Sequence, residues 1–305
     1  MTGGGQVCAV VTTFRPDVGL PDRVGRLRFQ VGAVVVVDDS GTSANDEVLN
    51  DLAVVCPDVM VRRHPANRGI AAALNTGVQA AASLGYDWVL TLDDDTVVRP
   101  AMIERLLEAW SAIETAGPPI AIMGMSFVER GAPDSAVWPD DTRPVGWREK
   151  RGIITSGSLF RVDAYRRIGG FREEFVIDGV DYDFCLRARA LGYRVIKLDA
   201  VGMAHSLGET SRCMVGPWRI ETTNHSPLRR YYAARNSTVL LTEHARRDPA
   251  YAVAVAVFQV KTAMLVLLFE ADRWLKLRAM LRGTADGLQR RLGKRAWQGG
   301  RVTGA

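Results

Sequence analysis

Residues Trp88–Asp95 read WVLTLDDD, an apolar and β-branched run that ends in three consecutive carboxylates. A run without polar alternation is what a strand buried on both faces of a parallel sheet requires. Asp93, Asp94 and Asp95 repel one another at its end unless a cation or solvent relieves them. Hard divalent cations such as Mg2+ and Mn2+ prefer oxygen ligands and commonly bridge protein carboxylates to phosphates. The alternative use of the three acids is a solvated turn, or an N-cap for the helix expected from Pro100 onward.

Working outward, Val7–Thr13 (VCAVVTT) and Ala33–Val37 (AVVVV) are runs of the same kind. Helix-like stretches separate them: Val18–Leu27, Asn45–Val55 and the Ala-rich Gly69–Leu84. Strand, helix, strand in this rhythm implies βαβ units and a parallel sheet. Each strand ends in polar residues, Thr12-Thr13, then Asp38-Asp39, then Asp93–Asp95. Ligands of open parallel sheets sit outside the carboxyl ends of the strands, so three such ends converge on one crevice. In Asp38-Asp39-Ser40-Gly41 a carboxylate can accept from a base imide or a ribose hydroxyl, although Asp, Ser and Gly also suit an ordinary turn. No G-x-G-x-x-G follows the first strand and no P-loop motif occurs, which removes the main support for a dinucleotide or P-loop site.

Farther along, the prolines between Gly117 and Gly152 predict loops and an antiparallel edge. Regular signal returns at Ile153–Arg161, in a helix from Asp181 to Leu191 and in a strand from Tyr193 to Leu198. Ser206–Pro227 reads as irregular and Leu228 onward as helical. The 305 residues, 47% apolar and 24% charged, are enough for one large α/β core with a tail or for two small domains, and they exclude a disordered or collagen-like chain. Four scattered cysteines without a C-x-x-C pair give neither a zinc site nor a disulfide framework. The net charge of +5 makes no case for a nucleic-acid partner by itself, but its placement is informative. From Arg246 onward twelve basic residues face four acidic ones, interleaved with Phe258, Leu268, Trp274 and Leu281. Such a tail suits an anionic membrane surface; packing on the rest of the chain, or a dimer interface, is the alternative. Met1–Gln6 has no basic n-region and the apolar run after it is short, so no secretory signal is expected. Gln259 and Lys261 interrupt the longest apolar stretch, Tyr251–Phe269, which points to a soluble or peripheral protein rather than a spanning helix.

Several motifs stand in one order: the strand ending Thr12-Thr13, VVVVDDSGT (Val34–Thr42), NRGIAAALN (Asn67–Asn75), TLDDDT (Thr91–Thr96), ITSGSLFRVDAYRRIGGF (Ile154–Phe171), VDYDFCLRARALGYRV (Val180–Val195) and HSLG from His205. The series resembles the inverting family 2 glycosyltransferases of GT-A fold over roughly residues 6 to 240. The IDGVDYDFCLR block, HSLG and RRYYAARN (Arg229–Asn236) look most like bacterial rhamnosyltransferases. The resemblance implies an α/β nucleotide-diphospho-sugar transferase fold, with a mostly parallel central sheet flanked by helices and a helical C-terminal extension. Residues 1–240 would form the catalytic domain, with a nucleotide-binding half (6–116) and an acceptor and catalytic half (117–240). Residues 241–305 would form a basic amphipathic helical region.

Carried over position by position, the resemblance implies that Thr12 and Thr13 contact the nucleotide and that Asp39 holds the pyrimidine base. Arg68 would line the nucleotide pocket and Asn75 close its motif. Asp93 and Asp95 match the ends of the D-x-D motif and would hold the metal, Mg2+ or Mn2+, Asp95 directly; Asp93 and Asp94, the latter at the motif's variable middle position, would also contact the nucleotide sugar. His205 matches a third metal ligand; His64, His225 and His244 read as ordinary packed or exposed histidines. Asp181 matches the general base, although Val180 stands where the family often has an acid, and Asp178 and Asp183 flank it as rivals. The implied reaction is a single inverting displacement from a nucleoside-diphosphate sugar, best dTDP-L-rhamnose, onto a hydroxyl of a glycan or polyprenyl-linked saccharide. The implied location is cytoplasmic, peripheral on the inner face of the plasma membrane, with a homodimer through the C-terminal helices as the other use of the tail. UDP-galactofuranose or another UDP-hexose is the alternative donor. Outside that class stand a non-catalytic nucleotide-sugar-binding protein and a sugar nucleotidylyltransferase, whose Gly-rich loop is missing after the first strand.

Overall fold

A computed structural model describes residues 6–115, 117–129, 145–205, 211–215, 218–298 and 301–304. The chain divides into two compact units, Met1–Phe171 with Asp181–Ser206, and Arg172–Val180 with Leu207–Ala305. The domain boundary expected at residue 240 falls inside a single helix, Pro227–His244.

The first unit holds strands β1 (Val7–Thr13), β2 (Ala33–Asp38), β3 (Met60–Arg63), β4 (Trp88–Asp93), β5 (Val97–Val98), β6 (Ile120–Glu129), β7 (Trp147–Glu149), β8 (Ser158–Arg161) and β9 (Arg194–His205). Its helices are α1 (Leu20–Leu27), α2 (Asp46–Val55), α3 (Ile70–Ser83), α4 (Met102–Glu114), α5 (Val162–Ile168) and α6 (Val180–Ala190). All the strands share one sheet in the order β3-β2-β1-β4-β8-β6-β9-β5, with β7 also on β9. The sheet is parallel from β3 through β4. Beyond β4 it is mixed: β8 runs antiparallel to both β4 and β6, while β6 and β9 are parallel.

The sequence explains the parallel half directly. Every residue of β1 is buried, as its unalternating pattern requires. On α3, Ala71, Ala72, Ala73, Leu74, Val78 and Ala81 are buried. Met102, Ile103, Leu106, Trp110 and Ile113 give α4 one apolar stripe at helical spacing. That stripe enters the core beside Val11, Leu90 and Ile196. Trp110 meets Trp88 edge to face at 4.8 Å, and burying a side chain of that size is worth about 3 kcal/mol.

Two expectations change here. β6 occupies a stretch expected to be loop, because the flanking prolines hid a buried run, Ile120–Met125. β9 continues past Leu198 to His205. The expected antiparallel edge is β7 on β9, while Pro133, Pro139 and Pro144 lie outside the described residues.

The second unit contains the hairpin β10 (Ser211–Val215) and β11 (Trp218–Thr222), helices α7 (Pro227–His244), α8 (Pro249–Phe269) and α9 (Arg273–Leu288), and a final pair β12 (Arg295–Gln298) and β13 (Arg301–Gly304). The chain therefore ends in strands where helix was expected, and part of the stretch read as irregular, Ser206–Pro227, is a hairpin. Ser206, Leu207 and Gly208 of the HSLG motif lie outside the described residues. Ser226 caps α7 by accepting from the Arg229 N–H, and Asp248 caps α8 by accepting from the Tyr251 N–H. α9 approaches α7 so closely that a Cβ at Gly283 would stand 2.3 Å from the Tyr231 carbonyl oxygen. Glu270, fully buried, is neutralised by Arg230 and Lys276.

Gln259 and Lys261 do not break α8, which runs unbroken for 21 residues. Among the described residues it is the one helix long and apolar enough to cross a membrane, by length and composition. Val253, Val257, Val260 and Met264 are 63%, 61%, 61% and 57% exposed, on one face at spacings of three and four.

Candidate active site

Sheet register brings the polar strand ends side by side. Thr12 is the register partner of Asp93 across β1 and β4, and Thr13 that of Asp38 across β1 and β2. Both threonines are buried. Thr13 donates from Oγ1 to Asp94 at 2.6 Å, and the Phe14 N–H adds a second bond at 3.3 Å. Arg23 donates from Nε to the Asp94 carbonyl oxygen and pairs with Asp17. Asp94 is thereby tied to β1 and stands apart from the two acids beside it.

Asp93 and Asp95 meet His205, which β9 delivers from the far half of the sheet. One ligand atom from each of the three lies within 4.8 Å of the others. His205 Nδ1 is 3.0 Å from Asp95, and its Nε2 is 3.8 Å from Asp93. Thr96 Oγ1 lies 3.2 Å from His205 Nδ1 and 2.8 Å from Ser156 Oγ, which also accepts from the Asp93 N–H at 3.1 Å. Burial is the main force that pushes the Asp93 carboxyl up to about 6; Asp95, Asp94 and Asp181 add to it and His205 opposes it. Burial pulls His205 down, but the hydrogen bond and charge of Asp95, with the charge of Asp93, leave it raised. Two carboxylates and an imidazole at this separation fit a hard or borderline divalent cation, and the crowding of negative charge is what such a cation relieves.

Asp39 has a different use from the one expected of it. Its carboxylate accepts from His64 Nδ1 (2.7 Å), Asn67 Nδ2 (3.0 Å), the Arg68 N–H (2.7 Å) and the Gly69 N–H (2.7 Å). Two donors on each oxygen fill the sites a carboxylate offers, so little remains for a pyrimidine imide. His64, read as an ordinary histidine, is part of this knot and reaches Thr76 Oγ1 at 2.9 Å. Gly41, at φ +64°, lets the turn after Asp39 lie against residues 66 and 67, where a Cβ would stand 2.6 Å from backbone. Arg68 is held through its backbone while its side chain is exposed. Asn75 is likewise used within the chain: its amide pairs with the Phe171 backbone in both directions and accepts from Tyr165.

Asp181 opens α6 and is half-buried, its Oδ1 accepting from the Tyr182 N–H at 2.8 Å. Asp93 feels its charge, which places Asp181 in the same electrostatic neighbourhood. Its rivals are engaged elsewhere: Asp183 is fully buried against Arg187 at 2.7 Å, and Asp178 pairs with Arg229 at 3.2 Å. Ser156 and Thr96 escaped the sequence reading of the site. Both lie inside motifs quoted for their order, and a hydroxyl in a motif carries no signal of what it touches.

The fold is that of the GT-A glycosyltransferases, with the cluster at the carboxyl ends of the parallel strands. The glycosyl transferase family 2 model matches residues 24–169. The chain is 27% identical over 297 residues to the dTDP-rhamnosyl transferase RfbF of Shigella flexneri, covering 93% of this chain and 95% of that one. It is also 27% identical over 218 residues, 67% of this chain and 86% of the relative, to an undecaprenyl-phosphate mannosyltransferase of Micrococcus luteus. Among solved structures, the Pyrobaculum calidifontis mannosyltransferase PcManGT, in complex with GDP-Man and Mn2+, superposes with a TM-score of 0.54 at 17% identity, over 93% of this chain and 87% of that one. Residues 1–349 of S. aureus TarS give 0.55 at 14% identity, over 97% and 95% of the two chains.

Proposed function

We propose that the chain transfers L-rhamnose from dTDP-L-rhamnose, with inversion, to a hydroxyl of a glycan or polyprenyl-linked saccharide. The convergence of Asp93, Asp95 and His205 within the electrostatic reach of Asp181 carries this reading. Likeness to RfbF along nearly the whole chain supports the choice of donor. Asp93, Asp95 and His205 would hold Mg2+ or Mn2+, which when bound neutralises the charge that develops on the leaving diphosphate. Thr12 and Thr13 form the floor of the nucleotide side. Asp39 orders residues 64–69, which present Arg68, and Asp94 fixes the β1 end to the β4 end. Asp181 takes the proton of the acceptor hydroxyl as it attacks the face of the sugar opposite the leaving group. No protein nucleophile takes part, so one displacement inverts the anomeric centre. Residues 6–116 supply the nucleotide side and 117–240 the base and third ligand. The exposed apolar face of α8, with the basic residues of the tail, would rest on the inner surface of the plasma membrane, where a polyprenyl-linked acceptor resides.

The test pairs binding with turnover. In Asp181→Asn, dTDP-L-rhamnose and Mn2+ should raise the thermal midpoint as in the parent chain, while kcat falls by about 10²–10⁴-fold. Retained turnover would remove Asp181 as the base, full activity in EDTA would remove the metal, and turnover of UDP-hexoses alone would remove the rhamnosyl donor.

A further inference from the structure

The motif RRYYAARN, Arg229–Asn236, has no part in the site described above, yet it supplies most of the partners of one short segment, Arg172–Val180. That segment is strained. The Ile177 N–H donates to the Phe175 carbonyl at 2.7 Å, closing a γ-turn around Val176 at φ +65°, ψ −64°. This is the rarer hand of γ-turn, and a β-branched residue is badly suited to positive φ. Asp178, two residues on, is also left-handed at φ +62°. Two such residues persist only where the surroundings over-determine them.

α7 provides that determination. Asn236 Nδ2 lies 2.9 Å from the Phe175 carbonyl oxygen, 2.9 Å from that of Ile177 and 2.8 Å from that of Asp178. Arg235, fully buried, donates to the Glu174 carbonyl at 2.7 Å, to that of Phe175 at 3.2 Å and to that of Gly293 at 2.6 Å. Arg229 pairs with the Asp178 carboxylate. The Val176 side chain plugs an apolar cluster of Tyr231, Tyr232 and Ala279. A segment that merely connected two elements would need none of these restraints. What it leads into is α6, whose second residue is Asp181, three positions beyond Asp178.

We infer that RRYYAARN is a clamp that positions the general base: Arg229, Arg235 and Asn236 hold residues 174–178 in a strained conformation and so fix where Asp181 begins α6. Arg229, Arg235 and Asn236 are positioning residues and touch no substrate. The inference rests on Asp181 being the base. A displacement of about 1 Å at a reacting group can cost on the order of 10²-fold in rate, so a clamp of this kind acts on kcat rather than on donor affinity.

Full-length Arg229→Gln, Arg229→Lys, Asn236→Ala and Asp181→Asn are compared for kcat, donor KM and thermal midpoint. Arg229→Gln and Asn236→Ala should lose about ten- to a hundredfold in kcat, with donor KM unchanged, and Arg229→Lys should recover most of the loss by keeping a cation opposite Asp178. The Arg229 side chain is 42% exposed, so its replacement does not endanger folding; should Asn236→Ala fail to fold, the Arg229 pair decides alone. Parent-like kcat in Arg229→Gln, together with collapse in Asp181→Asn, would overturn the clamp and leave the base in place. A rise in donor KM with kcat intact would also overturn the clamp. Retained turnover in Asp181→Asn would overturn the base and the clamp with it.

Discussion

Asp93 carries the most expensive charge in the molecule's acidic cluster. An isolated aspartate ionises near 3.9, whereas burial and its acidic neighbours bring Asp93 to about 6. Because the folded state holds this proton more tightly than the unfolded chain does, the metal-free protein loses stability as pH rises from about 4 to 6. A cation reverses the sign of the effect, since a ligand carboxylate must be ionised to bind. Mn2+ should therefore raise the thermal midpoint strongly at pH 7.5 and weakly at pH 5, with protons released on binding near pH 5.5. Thermal shift and calorimetry in buffers of different ionisation enthalpy measure both. An equal Mn2+ effect at the two pH values would show that Asp93 is not among the ligands.

The connection from β3 to α3, residues 64–69, shows how one side chain can organise an element boundary. Four donors converge on Asp39, and hydrogen bonds to a buried charge are worth about 1.5–3 kcal/mol each, although they do not add. Asp39→Ala should thus cost about 3 kcal/mol of stability and speed hydrogen exchange at the Arg68 and Gly69 amides, with weaker nucleotide binding as a secondary result. Unchanged exchange at those amides beside a lost nucleotide affinity would mean that the carboxylate reads the base directly. The same contrast marks what the chain makes legible. Strand ends at Thr13, Asp38 and Asp93 are visible because apolar runs stop there, and period and composition delimit α3 and α4. The use of Asp39 is hidden, because its partners arrive from residues 64–69 through the fold. β3 is hidden because MVRR is short and half-exposed, and β6 because its prolines lie just before it and beyond it. His205 was legible through its motif alone; the strand that delivers it was expected to end at Leu198.

On the scale of the whole molecule, the apolar face of α8 and the positive tail point the same way. Full-length protein should bind vesicles containing anionic lipid at low salt and be released as salt rises, because each Lys or Arg near the surface contributes roughly 1 kcal/mol that counterions screen. Replacing Val253, Val257 and Val260 together by Ser should abolish flotation with such vesicles and leave the thermal midpoint close to that of the parent, since all three are exposed. A parent chain that ignores anionic vesicles and sediments as a dimer would assign the face to a second copy.

Gly293 gives the tail a second meaning. Its N–H bonds to the Glu174 carbonyl at 3.0 Å, and its own carbonyl receives Arg235. A chain shortened at Arg246 would lose this splint on a segment far upstream, along with α9 behind Tyr231 and Tyr232. Through the clamp inferred above, such a deletion would lower kcat even in an assay without lipid. Engineering of this enzyme belongs on the exposed surface of α8, with the polypeptide kept whole to its last strands.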